Sequence, residues 1–184
     1  MDIELFLKDL REYGIKNTVP NVSDVNVNFL RDLLKISKAK NMLEIGTANG
    51  FSGINFALEL KKNGGHLTTI DFSPKSQGEA LLNFKSANLD NIITSILGNA
   101  LDEIPKLQDN FFDFIFIDGM KKRSGEFLNL CLPKAKPGAI IIIDDVIKFK
   151  DKMQTLRTYL EKTKIKYNII PIDVDDGIIM IIKD

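Results

Sequence analysis

Asp144 and Asp145 stand side by side in the stretch PGAIIIIDDVI (137–147), directly after four consecutive isoleucines. A third acid, Asp118, closes another apolar run, FFDFIFID (111–118), and Lys121 follows three residues later. Carboxylates at the ends of dry strands are costly to bury, so they must be paired, solvated or bound to something. Two or three gathered together repel one another unless a cation joins them. With no histidine or cysteine among them, the donor set is all oxygen, which selects a hard cation such as Mg2+ or Ca2+. The alternative is that Asp118 and Asp144 merely cap the helices that follow.

A second set of residues points to a nucleoside. Glu44, Gly46 and Gly50 lie in EIGTANGFSG, where glycines permit a tight turn and close backbone approach. Asp71, in TTIDFSP, lies 25 residues beyond Gly46, and a carboxylate there suits the two hydroxyls of a ribose. Gly98, Asn99 and Ala100, in GNALDEIP, could border a purine. A nicotinamide dinucleotide is one candidate, but its G-x-G-x-x-G fingerprint has Ala48 at the second glycine position. A P-loop is excluded, since no G-K-[ST] follows.

These residues converge only if the chain delivers them to one edge of a sheet. NMLEI (41–45), HLTTI (66–70), NIITSIL (91–97), FFDFIFI (111–117) and GAIIIID (138–144) have strand length and character. Helical spacing fills the intervals, in FSGINFALELKK, SPKSQGEALLNFKSANL, the short ALDEIPKL and GEFLNLCLPKA, with DKMQTLRTYLEKTK as a further helix. Alternation of this kind gives right-handed crossovers and a parallel sheet covered on both faces. In a 3-2-1-4-5 strand order, the tips carrying Asp118 and Asp144 are neighbours. YNIIPI and GIIMIIKD, joined by DVDDG, read as an antiparallel hairpin at the sheet edge. Two helices, roughly 2–13 and 24–37, precede the first strand, the second capped by Ser23 or Asp24. The expected fold is one α/β domain, 1–184, with a helical lid (1–38) on a doubly wound core (39–184).

At 184 residues the chain suits one domain, and 25 basic residues balance 25 acidic ones. That balance gives no general footprint for nucleic acid or an anionic membrane. A local patch from MKKR (120–123) and KFKDK (148–152) is a narrower alternative to solvated surface lysines. One cysteine, Cys131, excludes an internal disulfide, and with the single histidine, His66, it cannot build a zinc cluster. Cys131 reads as core and His66 as a surface-loop residue. No window is long and apolar enough for a membrane span, and the amphipathic N-terminus is unlike a signal peptide. A cytoplasmic location is expected.

Together, LEIGTANGFSG (43–53), TTIDFSP (68–74), GNALDEIP (98–105), FDFIFIDGMK (112–121) and PGAIIIIDDV (137–146) resemble the motifs of class I S-adenosylmethionine-dependent methyltransferases. The Asp-x-x-Lys after strand four and the acid pair after strand five narrow the resemblance to the metal-dependent O-methyltransferases, the catechol and caffeoyl-CoA group. The resemblance implies a Rossmann-like sheet of seven strands, order 3-2-1-4-5-7-6, with the last strand antiparallel. It implies S-adenosylmethionine at Glu44, Gly46, Thr47, Gly50 and Ser52 for the methionyl end, and at Asp71 for the ribose. Phe72, Gly98, Asn99 and Ala100 would border the base, and Asp118 would face the reacting end. Asp118, Asp144 and Asp145 fall on the metal positions, for Mg2+ or else Ca2+ or Mn2+. Lys121 falls on the general base.

By the same resemblance the methyl acceptor is a hydroxyl of a small catechol-like molecule. The alternatives are 5-hydroxyuridine in tRNA, held transiently by Lys121, Lys122, Arg123 and Lys148, a nucleotide-binding oxidoreductase, and a non-catalytic cofactor-binding protein. A homodimer is expected. Three departures stand out: Asp145 where the group usually has Asn, Ser124 where a Tyr often follows the lysine, and a short N-terminal region.

Overall fold

Residues 2–184 are described by a computed structural model. The chain opens with two helices, α1 (Ile3–Lys16) and α2 (Asp24–Ser37). It then alternates: β1 (Asn41–Ile45), α3 (Phe51–Lys62), β2 (His66–Asp71), α4 (Pro74–Ser86) and β3 (Ile93–Leu97). After a single helical turn, α5 (Ala100–Glu103), come β4 (Phe112–Ile117), α6 (Ser124–Cys131), β5 (Ala135–Ile143) and α7 (Gln154–Thr163). The hairpin of β6 (Asn168–Pro171) and β7 (Gly177–Ile182) ends the chain.

The seven strands form one sheet in the order β3-β2-β1-β4-β5-β7-β6. The first five are parallel, and β7 runs antiparallel to both β5 and β6. Period-two alternation divides the core in two. Phe114, Phe116 and Ile142 face the layer of Leu30, Phe56 and Phe84. Ile115, Ile117, Ile141 and Ile143 face the layer of Leu128, Cys131 and Leu156. The four isoleucines therefore serve both faces, which is why the run shows no polar alternation. Cys131 is core, and burial pushes its thiol well above the usual range.

Several boundaries move. Strand β5 begins at Ala135, ahead of the expected Gly138, and stops before Asp144. Its pairing with β4 shifts register at the start, where Gly138 takes a positive φ of 80°. His66 is the first residue of β2, its Nε2 hydrogen-bonded to the Thr94 hydroxyl at 2.8 Å, and so is not a loop residue. Of the two candidate caps for α2, Ser23 is the one used, its Oγ accepting from the Asn26 N–H. Within residues 2–38, Leu7, Leu10, Val27, Leu30 and Leu34 are buried with α3 and the sheet. Among the described residues no helix is long and apolar enough to cross a membrane.

Candidate active site

Backbone hydrogen bonds beyond the regular ladder align the strand tips. The Gly46 N–H donates to Ile70, Asp118 to Ile45, Asp144 to Ile117, and Gly98 to Asp71. Gly46 has φ +101°, and a Cβ there would lie 2.7 Å from the Asp118 carbonyl oxygen. Only glycine lets the tips of β1 and β4 come this close. The tips border one cleft of about 1210 Å3, which spans the carboxyl edge from Phe72 to Asp176.

Asp71 braces the glycine turn. Its Oδ2 accepts the N–H groups of Thr47 and Ala48 at 2.9 and 3.1 Å, and Oδ1 accepts from Ser73 at 2.8 Å. These bonds hold Ala48 at φ +47°, a conformation that elsewhere favours glycine. A carboxylate has about four acceptor sites, so capacity for a ribose hydroxyl remains. The Phe72 ring is 70% exposed at the cleft wall, unusual for a phenylalanine outside a contact site. Gly98, Asn99 and Ala100 line the same end, with Asn99 capping α5.

The opposite end holds the acids. Lys121 Nζ lies 2.5 Å from both Asp118 Oδ1 and Asp145 Oδ2, and Asn26 Nδ2 donates to Asp144 Oδ1 at 2.8 Å. Burial raises the pKa of Asp144 well above the carboxylate range, and repulsion from Asp118 and Asp145 adds to it. Burial also raises Asp118, though Lys121 pulls the other way. For Lys121, burial favours loss of the proton, but the charges of Asp118 and Asp145 outweigh it and hold the ammonium above its ordinary range. As folded, Lys121 is a counter-ion to two of the acids.

One ammonium therefore faces three carboxyl groups. Surplus negative charge on oxygen donors is the chemistry of a hard divalent cation, and by residue type the site fits one. Their present arrangement is an ion-pair cluster: among the described residues, no group of three His, Cys, Asp or Glu side chains is disposed to hold a metal. Lys121 engages two of the three acids.

Glu44, Thr47 and Gly50 do not line the cleft. Glu44 is fully buried behind Ser52, whose Oγ donates to it at 2.6 Å, and burial raises its pKa to about 8. Thr47 shares a 2.6 Å hydroxyl contact with Thr69, and a Cβ on Gly50 would meet the Phe84 ring. Ser52 does border the cleft. Ser124 is buried and bonds the Lys121 carbonyl, so it packs α6 and does not face a ligand.

Two residues of the acid end escaped the sequence reading of roles. Asn26 pairs with an acid 118 positions away, and its only sequence signal is a place in the first turn of α2. Asp176, legible as the Asp-Gly of the hairpin turn, accepts N–H groups from Ile147, Lys148 and Gly177. Burial and a contact with Asp145 raise its pKa.

A seven-stranded sheet with a reversed seventh strand, and a cleft across the tips of its first five, is the architecture of a class I methyltransferase. Residues 2–183 match the O-methyltransferase family, and the chain belongs to it. A catechol O-methyltransferase of Niastella koreensis is 37% identical over 131 residues, 70% of this chain and 59% of that protein. The catechol O-methyltransferase of Mycobacterium tuberculosis is 33% identical over 127 residues, 69% of this chain and 57% of that one. The chain thus spans under two thirds of the length of these curated relatives. The crystal structure of an O-methyltransferase from Bacillus cereus in complex with S-adenosylhomocysteine superposes with a TM-score of 0.85 at 28% identity, covering 97% of this chain and 90% of that one.

Proposed function

We propose that the protein is an S-adenosylmethionine-dependent O-methyltransferase whose acceptor is a small aromatic carrying vicinal hydroxyls. One observation carries this reading: the nucleoside-suited end and the acid cluster line the same cleft.

S-adenosylmethionine supplies a methyl carbon on a cationic sulfur, an electrophile that needs little activation. The protein's task is then to bind, orient and deprotonate the acceptor. The Phe72 ring, Asn99 and Ala100 would flank the base, Asp71 would accept from the ribose, and Gly46 would admit close backbone approach. Asp118, Asp144 and Asp145 would hold a divalent cation, which would acidify an acceptor hydroxyl. Lys121 Nζ holds its proton while Asp118 and Asp145 flank it, and becomes a base only when those acids are engaged elsewhere. Met120, Phe127 and Phe149 line this end, giving apolar contact for an aromatic ring.

Of the basic residues that would favour an RNA acceptor, Lys121 is held in a part-buried cluster, while Arg123 and Lys148 make exposed pairs that hold them weakly. Lys121 is held by two acids, Arg123 pairs with Glu126 at 3.2 Å, and Lys148 faces Asp175 at 3.5 Å. The balanced net charge, 25 basic against 25 acidic residues, favours a small molecule over a phosphate-bearing chain. Thermal unfolding with S-adenosylhomocysteine and with NAD tests the cofactor assignment. Stabilisation by the former at a concentration well above its Kd, by about 3 kcal/mol at a hundredfold excess, is expected. Stabilisation by NAD alone would contradict the assignment.

A further inference from the structure

One buried carbonyl oxygen at the acid end of the cleft has no hydrogen-bond partner among the described residues: Asn26 Oδ1. Asn26 is 6% exposed and borders the cleft beside Asp144. Buried polar groups are almost always satisfied, so an unsatisfied one calls for an explanation. We propose that Asn26 Oδ1 is a further protein ligand of the divalent-cation site, supplied by α2 and added to Asp118, Asp144 and Asp145. The inference deepens the methyltransferase reading at its cation site. It rests on a cation binding there, and not on which acceptor is methylated.

The orientation of the amide follows from its neighbour. Asn26 Nδ2 donates to Asp144 Oδ1 at 2.8 Å, and turning the group over would set its oxygen against a carboxylate oxygen. The NH2 is therefore committed to the acid, and the carbonyl oxygen is the free end. Three unpartnered donors stand on other cleft residues, Arg11 Nε, Asn21 Nδ2 and Asn49 Nδ2, and none of them bonds to it. The position is also fixed. Asn26 lies in the first turn of α2, with its N–H bonded to Ser23 Oγ at 3.2 Å, and Val27 and Leu30 pack that helix into the core. Arg31 ties the same helix to Glu59 of α3 at 2.7 Å.

Hard divalent cations take six or more oxygen ligands and accept amide carbonyls among them. As folded, the acids do not by themselves present a three-ligand set, which leaves a part for a donor of another type. A further carboxylate would add to the repulsion among Asp118, Asp144 and Asp145. An amide oxygen adds a ligand and no charge. Asn26 and Asp144 stand 118 positions apart in the chain, so a cation shared by them would join α2 to the tips of β4 and β5.

Mn2+ is the probe, followed in solution by the EPR signal of the free ion, so no turnover is needed. Wild type, Asn26→Leu and Asn26→Asp are titrated as full chains. Asn26→Leu removes both the NH2 and the oxygen, whereas Asn26→Asp removes the NH2 and keeps an oxygen in place. The expected result is Mn2+ binding weakened roughly tenfold or more by Asn26→Leu, and held within about threefold of wild type, or tightened, by Asn26→Asp. A residue that only braces Asp144 would weaken binding alike in both variants; that outcome, or no change in either, overturns the proposal. Crystals soaked in Mn2+ read the ligand directly. Asn26 Oδ1 within about 2.6 Å of the anomalous peak supports the assignment, and an ion at the acids with that oxygen outside its shell overturns it. Thermal unfolding with S-adenosylhomocysteine keeps the two readings apart. Protein that binds S-adenosylhomocysteine but no Mn2+ overturns the cation ligand alone. Protein that binds Mn2+ through Asn26 but not S-adenosylhomocysteine sinks the methyltransferase reading and leaves the ligand standing.

Discussion

Glu44 sits next to the last residue of the first strand with its carboxyl group sealed from solvent, and burial lifts its pKa to about 8. The unfolded chain releases that proton near pH 4.3. Stability from this group is therefore complete below that pH and lost as pH rises towards 8. Glu44→Gln should flatten the decline of unfolding free energy between pH 5 and 8, a difference of at most about 5 kcal/mol. Parallel wild-type and mutant curves would contradict the buried proton. Asn26 is the complementary case, a neutral group serving an acid. Replacing it with Leu removes a donor from buried Asp144 and should cost about 1–3 kcal/mol in denaturant unfolding. A change under about 0.5 kcal/mol would place it with ordinary surface positions. Asp118, Asp144 and Asp145 were legible because each follows an apolar run that ends at the sheet edge. Asn26 was not, since no local pattern reports a partner across the fold.

At the scale of elements, α2 reaches the site because α3 holds it there. Arg31 of α2 donates to Glu59 Oε1 through Nε and Nη2 at 3.0 and 2.7 Å, while Lys62 meets Oε2 at 2.7 Å. Burial alone would raise the Glu59 pKa, but Lys62 and Arg31 outweigh it and hold it below its usual value. Glu59→Gln should lose roughly 2 kcal/mol at neutral pH, discounted for the exposed lysine. Because the folded pKa is depressed, that loss should shrink as pH falls below about 4. A gap that persists at pH 3 would assign the loss to packing. Strands and long helices were readable to within a few residues because burial on both faces leaves unbroken apolar runs. The starts of β5 and α7 were not. Gly138 shifts one register, and a 3-10 turn at Lys150–Lys152 delays the other.

Across the whole molecule, the strand order turns five separate sequence motifs into one cleft. The order itself was foreseeable from strand–helix alternation and family resemblance. What was not foreseeable is the division of labour inside the cleft. Asp71 shapes the turn while leaving capacity for a ligand, Glu44 lies behind it, and Lys121 neutralises the acids it was expected to serve. Asp145, an acid where the family resemblance leads one to expect an amide, pairs with Lys121. The most direct test of the account is transfer of labelled methyl from S-adenosylmethionine to catechol, with unfractionated tRNA beside it, in Mg2+ and in chelator. The account predicts a mono-O-methylated catechol, no label in tRNA, and turnover abolished by chelator and restored by Mg2+. Label in tRNA alone, or no transfer to any hydroxyl by protein that binds S-adenosylhomocysteine, would contradict it.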